Sequence, residues 1–153
     1  MKILVALLML CFAALSVDAQ IYKLYKIQLG FQQSAAGLFT CDNMTPHYSH
    51  VVVEGSPNQQ MSMSLYNDKT KAKAFVYSLT NPQTTQTNQI TYEARCASPH
   101  GALWTKITIT TFGKKATIRL EDAYDQWNGM IFYIYSGKIQ KKSKGLENFL
   151  YDD

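Results

Sequence analysis

The sequence predicts an all-β protein of about nine short strands, packed as an antiparallel β-sandwich of jelly-roll type or, alternatively, closed into a β-barrel. Three observations carry this. Apolar and polar residues alternate with a period of two in one segment after another, the signature of half-buried strands. Clusters rich in Gly, Pro, Asn and Asp punctuate those segments at short spacing. Beyond the first 19 residues no stretch shows a helical stripe, apart from 146–151, where Leu146, Phe149 and Leu150 share a face.

The strongest element spans 103–120, LWTKITITTFGKKATIRL. Ile107 and Ile109 point one way, with Lys106, Thr108 and Thr110 opposite; Ile118 and Leu120 resume the pattern after Gly113. A two-residue turn at Gly113-Lys114 fixes the register. Ile109 then faces Ile118, Ile107 faces Leu120, Thr110 faces Thr117, Thr108 faces Arg119, and Lys106 meets Glu121. A slip of one residue would move every apolar side chain to the wrong face. Glycine in the first turn position suits a type II′ turn, which needs a positive φ there.

The other strands follow in chain order. Residues 20–29 form one, with Tyr25, Ile27 and Leu29 on one face and Lys26 and Gln28 on the other. Residues 38–41 form a short second strand, and 42–47 a loop. Residues 48–54 are rich in β-branched side chains and end at Gly55-Ser56-Pro57-Asn58. Met61 to Tyr66 alternate, Asn67-Asp68-Lys69-Thr70 turn the chain, and 74–79 return. Residues 81–88 read as a polar loop heavy in Thr and Gln. In 89–96, Ile90, Tyr92, Ala94 and Cys96 face inward. Residues 121–129 form a loop, and 130–139 are apolar on both faces, as a doubly covered strand would be.

The ends speak to compartment. MKILVALLMLCFAALSVDAQ has a charged start, an apolar run too short to span a bilayer comfortably, and small residues before Gln20. It reads as a secretory signal peptide (1–19), leaving a single domain (20–153) with a charged tail from 140. The expected product is secreted, extracellular and without a membrane span. Cys11 leaves with the signal, so Cys41 and Cys96 are expected to bond in an oxidising compartment. A bridge closing so long a loop contributes roughly 4 kcal/mol in the chain-entropy account.

Charge and motifs limit the chemistry. The net charge of +4 is mild, and only Arg95 and Arg119 are arginines, so nucleic acid is not an expected partner. His47 and His50 lack the spacing or the neighbours of a metal site on a strand. No nucleophile elbow or phosphate loop occurs, and no nucleophile–base–acid set can be assembled, so an enzyme is not expected. Residues 51–55, VVVEG, resemble the V-V-x-G element of cystatin protease inhibitors. The long helix, second disulfide and Pro-Trp hairpin of that family have no counterpart, and no residue role is carried over. Asn43-Met44-Thr45 is a glycosylation sequon. Lys138, Lys141, Lys142 and Lys144 make the tail basic, and its acidic end offsets them.

A binding module is the function expected, and its first candidate site is the 121–129 loop. Trp127 beside Asp122, Asp125 and Asn128 has the composition of a sugar site, with an indole face for the ring and amides and carboxylates for hydroxyls. Glu121, Asp122, Asp125 and Asn128 also offer hard oxygens suited to calcium. The same residues are what solvated turns contain, and no cofactor is expected. The partner is thus an extracellular glycan or protein. A protein-interaction or inhibitory factor is one alternative. A carrier of a small apolar ligand is another, and it requires the closed barrel.

Overall fold

The structure is a computed structural model that describes residues 19–33, 37, 39–55, 60–96, 105–122 and 129–140. The strands are β1 (Ala19–Gln32), β2 (Phe39–Met44), β3 (Tyr48–Glu54), β4 (Met61–Asn67), β5 (Lys73–Gln86), β6 (Gln89–Cys96), β7 (Lys106–Phe112), β8 (Lys115–Glu121) and β9 (Met130–Gln140). Their order is β2-β1-β3-β4-β5-β6-β7-β8-β9, and β1 also pairs with β9. Eight strands therefore close into an antiparallel barrel, with β2 as an extra strand. This corrects the sandwich, the first of the two arrangements, in favour of the second. Alternation looks the same in both folds, because each buries one face of every strand. What separates them is the ladder from Ile21↔Gln140 to Gln32↔Met130, a contact between the two ends of the chain that no local pattern encodes.

The hairpin at 103–120 has the register its sequence dictates. Ile109 lies opposite Ile118, Ile107 opposite Leu120, Thr110 opposite Thr117, Thr108 opposite Arg119 and Lys106 opposite Glu121. Gly113 has φ +60°, and Lys114 is not in the positive region, the sign pattern of a type II′ turn. Lys106 Nζ reaches Glu121 Oε2 at 3.3 Å, and Arg119 reaches Oε1 at 3.0 Å. The described strand begins at Lys106; Leu103 and Trp104 lie outside the described residues.

β1 departs from the simple alternation. A bulge between Leu24 and Lys26 resets its phase. Tyr22 and Leu24 face inward before it and Ile27 after it, while Tyr25 is turned out and half exposed. The expectation that Tyr25 shares the face of Ile27 is thus corrected. Facing this bulge, Thr45-Pro46-His47 interrupts what would otherwise be one strand, so β2 pairs with the second half of β1 and β3 with the first. β2 runs on to Met44, which places Asn43 on an exposed strand position and not in the loop expected for it.

The 81–88 segment is also corrected. β5 continues through it to Gln86, with register shifts between Thr80 and Gln83 and between Thr84 and Gln86. Both faces of this extension are in solvent, so its sequence carries no alternation to read. Polar side chains hold it. Asn81 Nδ2 donates to Glu93 Oε2 at 2.8 Å, and Thr85 Oγ1 donates to Gln89 Oε1 at 2.6 Å. Gln89 Nε2 donates in turn to Thr110 Oγ1 at 3.0 Å.

The barrel interior is filled through its middle. Met63, Leu65, Tyr77, Ile107, Ile118 and Leu120 are each no more than 1% exposed. Tyr133 and Tyr135, adjacent inward positions on β9, stack at 6.0 Å with nearly parallel rings, and Tyr48 meets Tyr135 edge-on. The outer face of β9 is covered too, as its sequence suggests. Phe132 is fully buried there, edge-on to Phe39 at 5.4 Å, with the Arg119 guanidinium 4.0 Å from its ring centre. Gly30, opposite Phe132 in register, leaves room for the ring; a Cβ at that position would collide with it.

The expected Cys41–Cys96 bridge is not formed, and both are free thiols. Sheet register explains this. Directly opposed residues share a face. Cys41 lies opposite Gly30 on the outward row that continues to Phe132. Cys96 lies opposite Tyr77 on the inward row and packs against the core. The inward direction expected for Cys96 holds. What local sequence does not show is that β2, paired along β1, turns Cys41 to the outside.

Candidate functional site: a cavity at the barrel mouth

An antiparallel meander brings alternate strand ends together. At one end of this barrel the start of β1, the end of β3, the starts of β4 and β6, and the end of β7 converge. They surround a cavity of about 390 Å³. Its floor is made by Tyr22, Val53, Met61, Tyr92 and Ile109, all inward-facing and buried. Its rim is polar, with Gln20, Thr87, Asn88 and Thr111. Among its described lining residues there is no Asp, Glu, Lys, Arg or His.

Hydrogen bonds fix one side of the rim. The β5–β6 turn is tied to the end of β7 by three bonds, the longest from Thr111 Oγ1 to the Asn88 carbonyl at 3.4 Å. Thr111 N–H donates to the Asn88 carbonyl at 2.9 Å, and Asn88 Nδ2 donates to the Thr111 carbonyl at 2.9 Å. The threonine–amide ladder below, including the Thr91–Thr108 hydroxyl pair at 3.1 Å, continues the support. Side chains held this way need no ordering when a ligand arrives, which lowers the entropic cost of binding.

The floor carries two phenols. Burial, with a further contribution from the nearby Tyr92, raises the Tyr22 pKa to about 12. Burial also raises that of Tyr92. Both stay protonated at physiological pH, and each offers one O–H donor and an acceptor oxygen. Neither hydroxyl has a hydrogen-bond partner among the described residues. Tyr77, deeper in the barrel, contrasts with them, because its hydroxyl bonds to Cys96. The cavity is thus an apolar bowl with two uncharged polar groups in its floor and amides and hydroxyls at its lip. Sites for small molecules share this composition, in this range of volume.

No protein-family model matches this chain, and neither does any curated protein. The fold and the cavity therefore carry the functional argument.

Of the binding-site residues expected from the sequence, Asp122 alone is described. Asp125, Trp127 and Asn128 lie outside the described residues. Asp122 is exposed at the end of β8, its N–H directed to the Ile131 carbonyl at 3.4 Å. Glu121 is buried and committed to Lys106 and Arg119, which removes it from the set of oxygens proposed for calcium. The exposed His47 ring lies 4.2 Å from that of Tyr48 at a tilt of 58°, whereas His50 is buried on the outer face with Nδ1 3.0 Å from Ser49 Oγ. Among the described residues, no three His, Cys, Asp or Glu side chains gather as a metal site would require. Also among them, no helix is long and apolar enough to cross a membrane.

Sequence reasoning placed Ile90 and Tyr92 on the inward face of β6 but did not connect them to a site. The cavity draws on five strands and a turn, brought together only by barrel closure. One signal was available: a tyrosine, Tyr92, on the inward row of β6 two residues past Ile90 and close to a turn.

Proposed function

We propose that this chain is a secreted, non-enzymatic carrier or scavenger of a small, largely apolar molecule bound in the barrel mouth. The observation that carries the reading is the cavity of about 390 Å³, with its buried apolar floor and polar rim, at the end of a closed barrel. Eight-stranded barrels either fill their interior with side chains or hold one small ligand. Here the middle is filled, so the ligand is compact and sits at the end; a long acyl chain has nowhere to thread. The absence of charged or imidazole groups among the described lining residues favours binding over catalysis.

Secretion is the compartment in which such a carrier works, and the leader-like segment 1–19 supports it. Asn43, exposed on β2, is the proposed glycosylation position, read by a mass shift on deglycosylation of the secreted protein. Calcium in the 121–129 loop has less support, because Glu121 is held by its two ion pairs.

The test is fluorescence enhancement of N-phenyl-1-naphthylamine, an uncharged reporter of apolar sites. Saturable binding at one site is expected, and Ile109→Trp, which fills the floor, abolishes it while circular dichroism stays β. No enhancement, or enhancement that survives Ile109→Trp, would remove the reading.

A further inference from the structure

The composition of the cavity goes further than its shape. Resting on the carrier reading, we infer that the ligand is an uncharged ring compound bearing a hydroxyl or carbonyl group, which the Tyr22–Tyr92 phenol pair selects.

Three observations converge on this. The described side chains that line the cavity carry no formal charge, so an ionic group seated on the floor would lose its hydration without a counter-charge beside it. This opposes the long-range field. The chain has a net charge of +4, and Lys23, Lys138 and Lys115 lie in one row outside the barrel, so distant electrostatics alone would favour anions. Next, the phenols of Tyr22 and Tyr92 lie close enough to interact, both line the floor, and neither has a hydrogen-bond partner among the described residues. A ligand that seats an apolar body on Val53, Met61 and Ile109 but offers nothing to these hydroxyls displaces the water that reaches them and leaves two donors unmet, at a cost in affinity. Finally, the filled middle of the barrel stops the cavity below its floor, which excludes extended chains and favours a compact ring.

Tyr22 and Tyr92 are therefore specificity residues that recognise a polar substituent, while the aliphatic floor supplies the bulk of the affinity. A site built to satisfy a hydroxyl discriminates against the analogue lacking it more sharply than an apolar wall discriminates by size.

A matched series tests this by displacement of N-phenyl-1-naphthylamine: naphthalene, 1-naphthol and naphthalene-1-sulfonate share one ring system. 1-Naphthol is expected to bind about tenfold more tightly than naphthalene. The sulfonate is expected to compete weakly or not at all, despite the protein's positive charge. Combined Tyr22→Phe and Tyr92→Phe should bring 1-naphthol down to the affinity of naphthalene and leave naphthalene itself unchanged. Tyr135→Phe, in the filled part of the barrel, should leave the ratio as it was. Equal binding of all three compounds, or a ratio indifferent to the double substitution, overturns the inference while the carrier reading survives. Failure of the reporter to bind at all overturns both.

Discussion

The two ends of one interior contrast. In the middle of the barrel, inward positions are aliphatic or aromatic and leave no space. At the mouth the same strands continue inward-facing, but Tyr22, Tyr92, Thr111 and Gln20 join Val53, Met61 and Ile109 and a cavity opens. The inward–outward alternation of the lining strands continues through both regions, and the side chains it presents differ. In this protein the fold is specified by the packed region, and the mouth departs from it by leaving volume and hydrogen-bonding capacity unused. Such a departure from local consistency is where function is expected.

The difference is testable through stability, because the packed region should be sensitive and the mouth tolerant. Leu120→Ala, in the filled part, should cost about 2–5 kcal/mol in urea unfolding, since neighbours on every side cannot collapse into the void. Ile90→Ala, at the open mouth where the side chain is already more than a third exposed, should cost less than about 1 kcal/mol. It should weaken reporter binding all the same. Equal costs at the two sites would erase the distinction between the regions.

The pH dependence carries the same contrast at intermediate size. Tyr22 ionises near pH 10 when unfolded and near 12 when folded. The unfolded state therefore releases its proton first. Stability is full below pH 10 and falls as pH rises toward 12, by up to about 3 kcal/mol. His50, buried on the outer face, has its pKa lowered, first by burial and then by Lys23 and Lys71. The unfolded state takes up a proton first, so stability falls as pH drops below about 6.5. Tyr22→Phe should make the alkaline limb shallower, the other buried tyrosines keeping the rest of it, and leave the acid limb unchanged, read by thermal unfolding across pH.

The outer ion-pair group contributes less than the filled core or the buried phenol. Glu121→Gln removes the partner of both Lys106 and Arg119 and should cost about 1–2 kcal/mol, reduced at high salt because Lys106 is exposed. Thiol counting makes the matching covalent prediction. Two thiols should label in denaturant without reductant, since Cys41 and Cys96 lie on opposite faces of the sheet.

Much of the fold was legible in the sequence, and for a physical reason. Ile107, Ile109, Ile118 and Leu120 define their faces by themselves, so the β7–β8 register could be written down residue by residue. The β5 extension was not legible, because an element wet on both faces has no reason to alternate. The Tyr25 bulge was not either, since a change of phase within an apolar strand reads as continuous. Barrel closure and the face taken by Cys41 both depend on pairing partners far along the chain. The candidate site suffered most. Its floor combines residues from 22 to 109, whereas the cluster that sequence composition favours, around Trp127, is made of neighbours in the chain and lies mostly outside the described residues.

The most direct measurement is chemical-shift mapping of isotope-labelled protein titrated with N-phenyl-1-naphthylamine. The account predicts saturable shifts centred on Tyr22, Val53, Met61, Tyr92 and Ile109, with Leu120 and Tyr77 nearly unmoved. Shifts centred on the 121–129 loop, or spread evenly over the outer face, would contradict it.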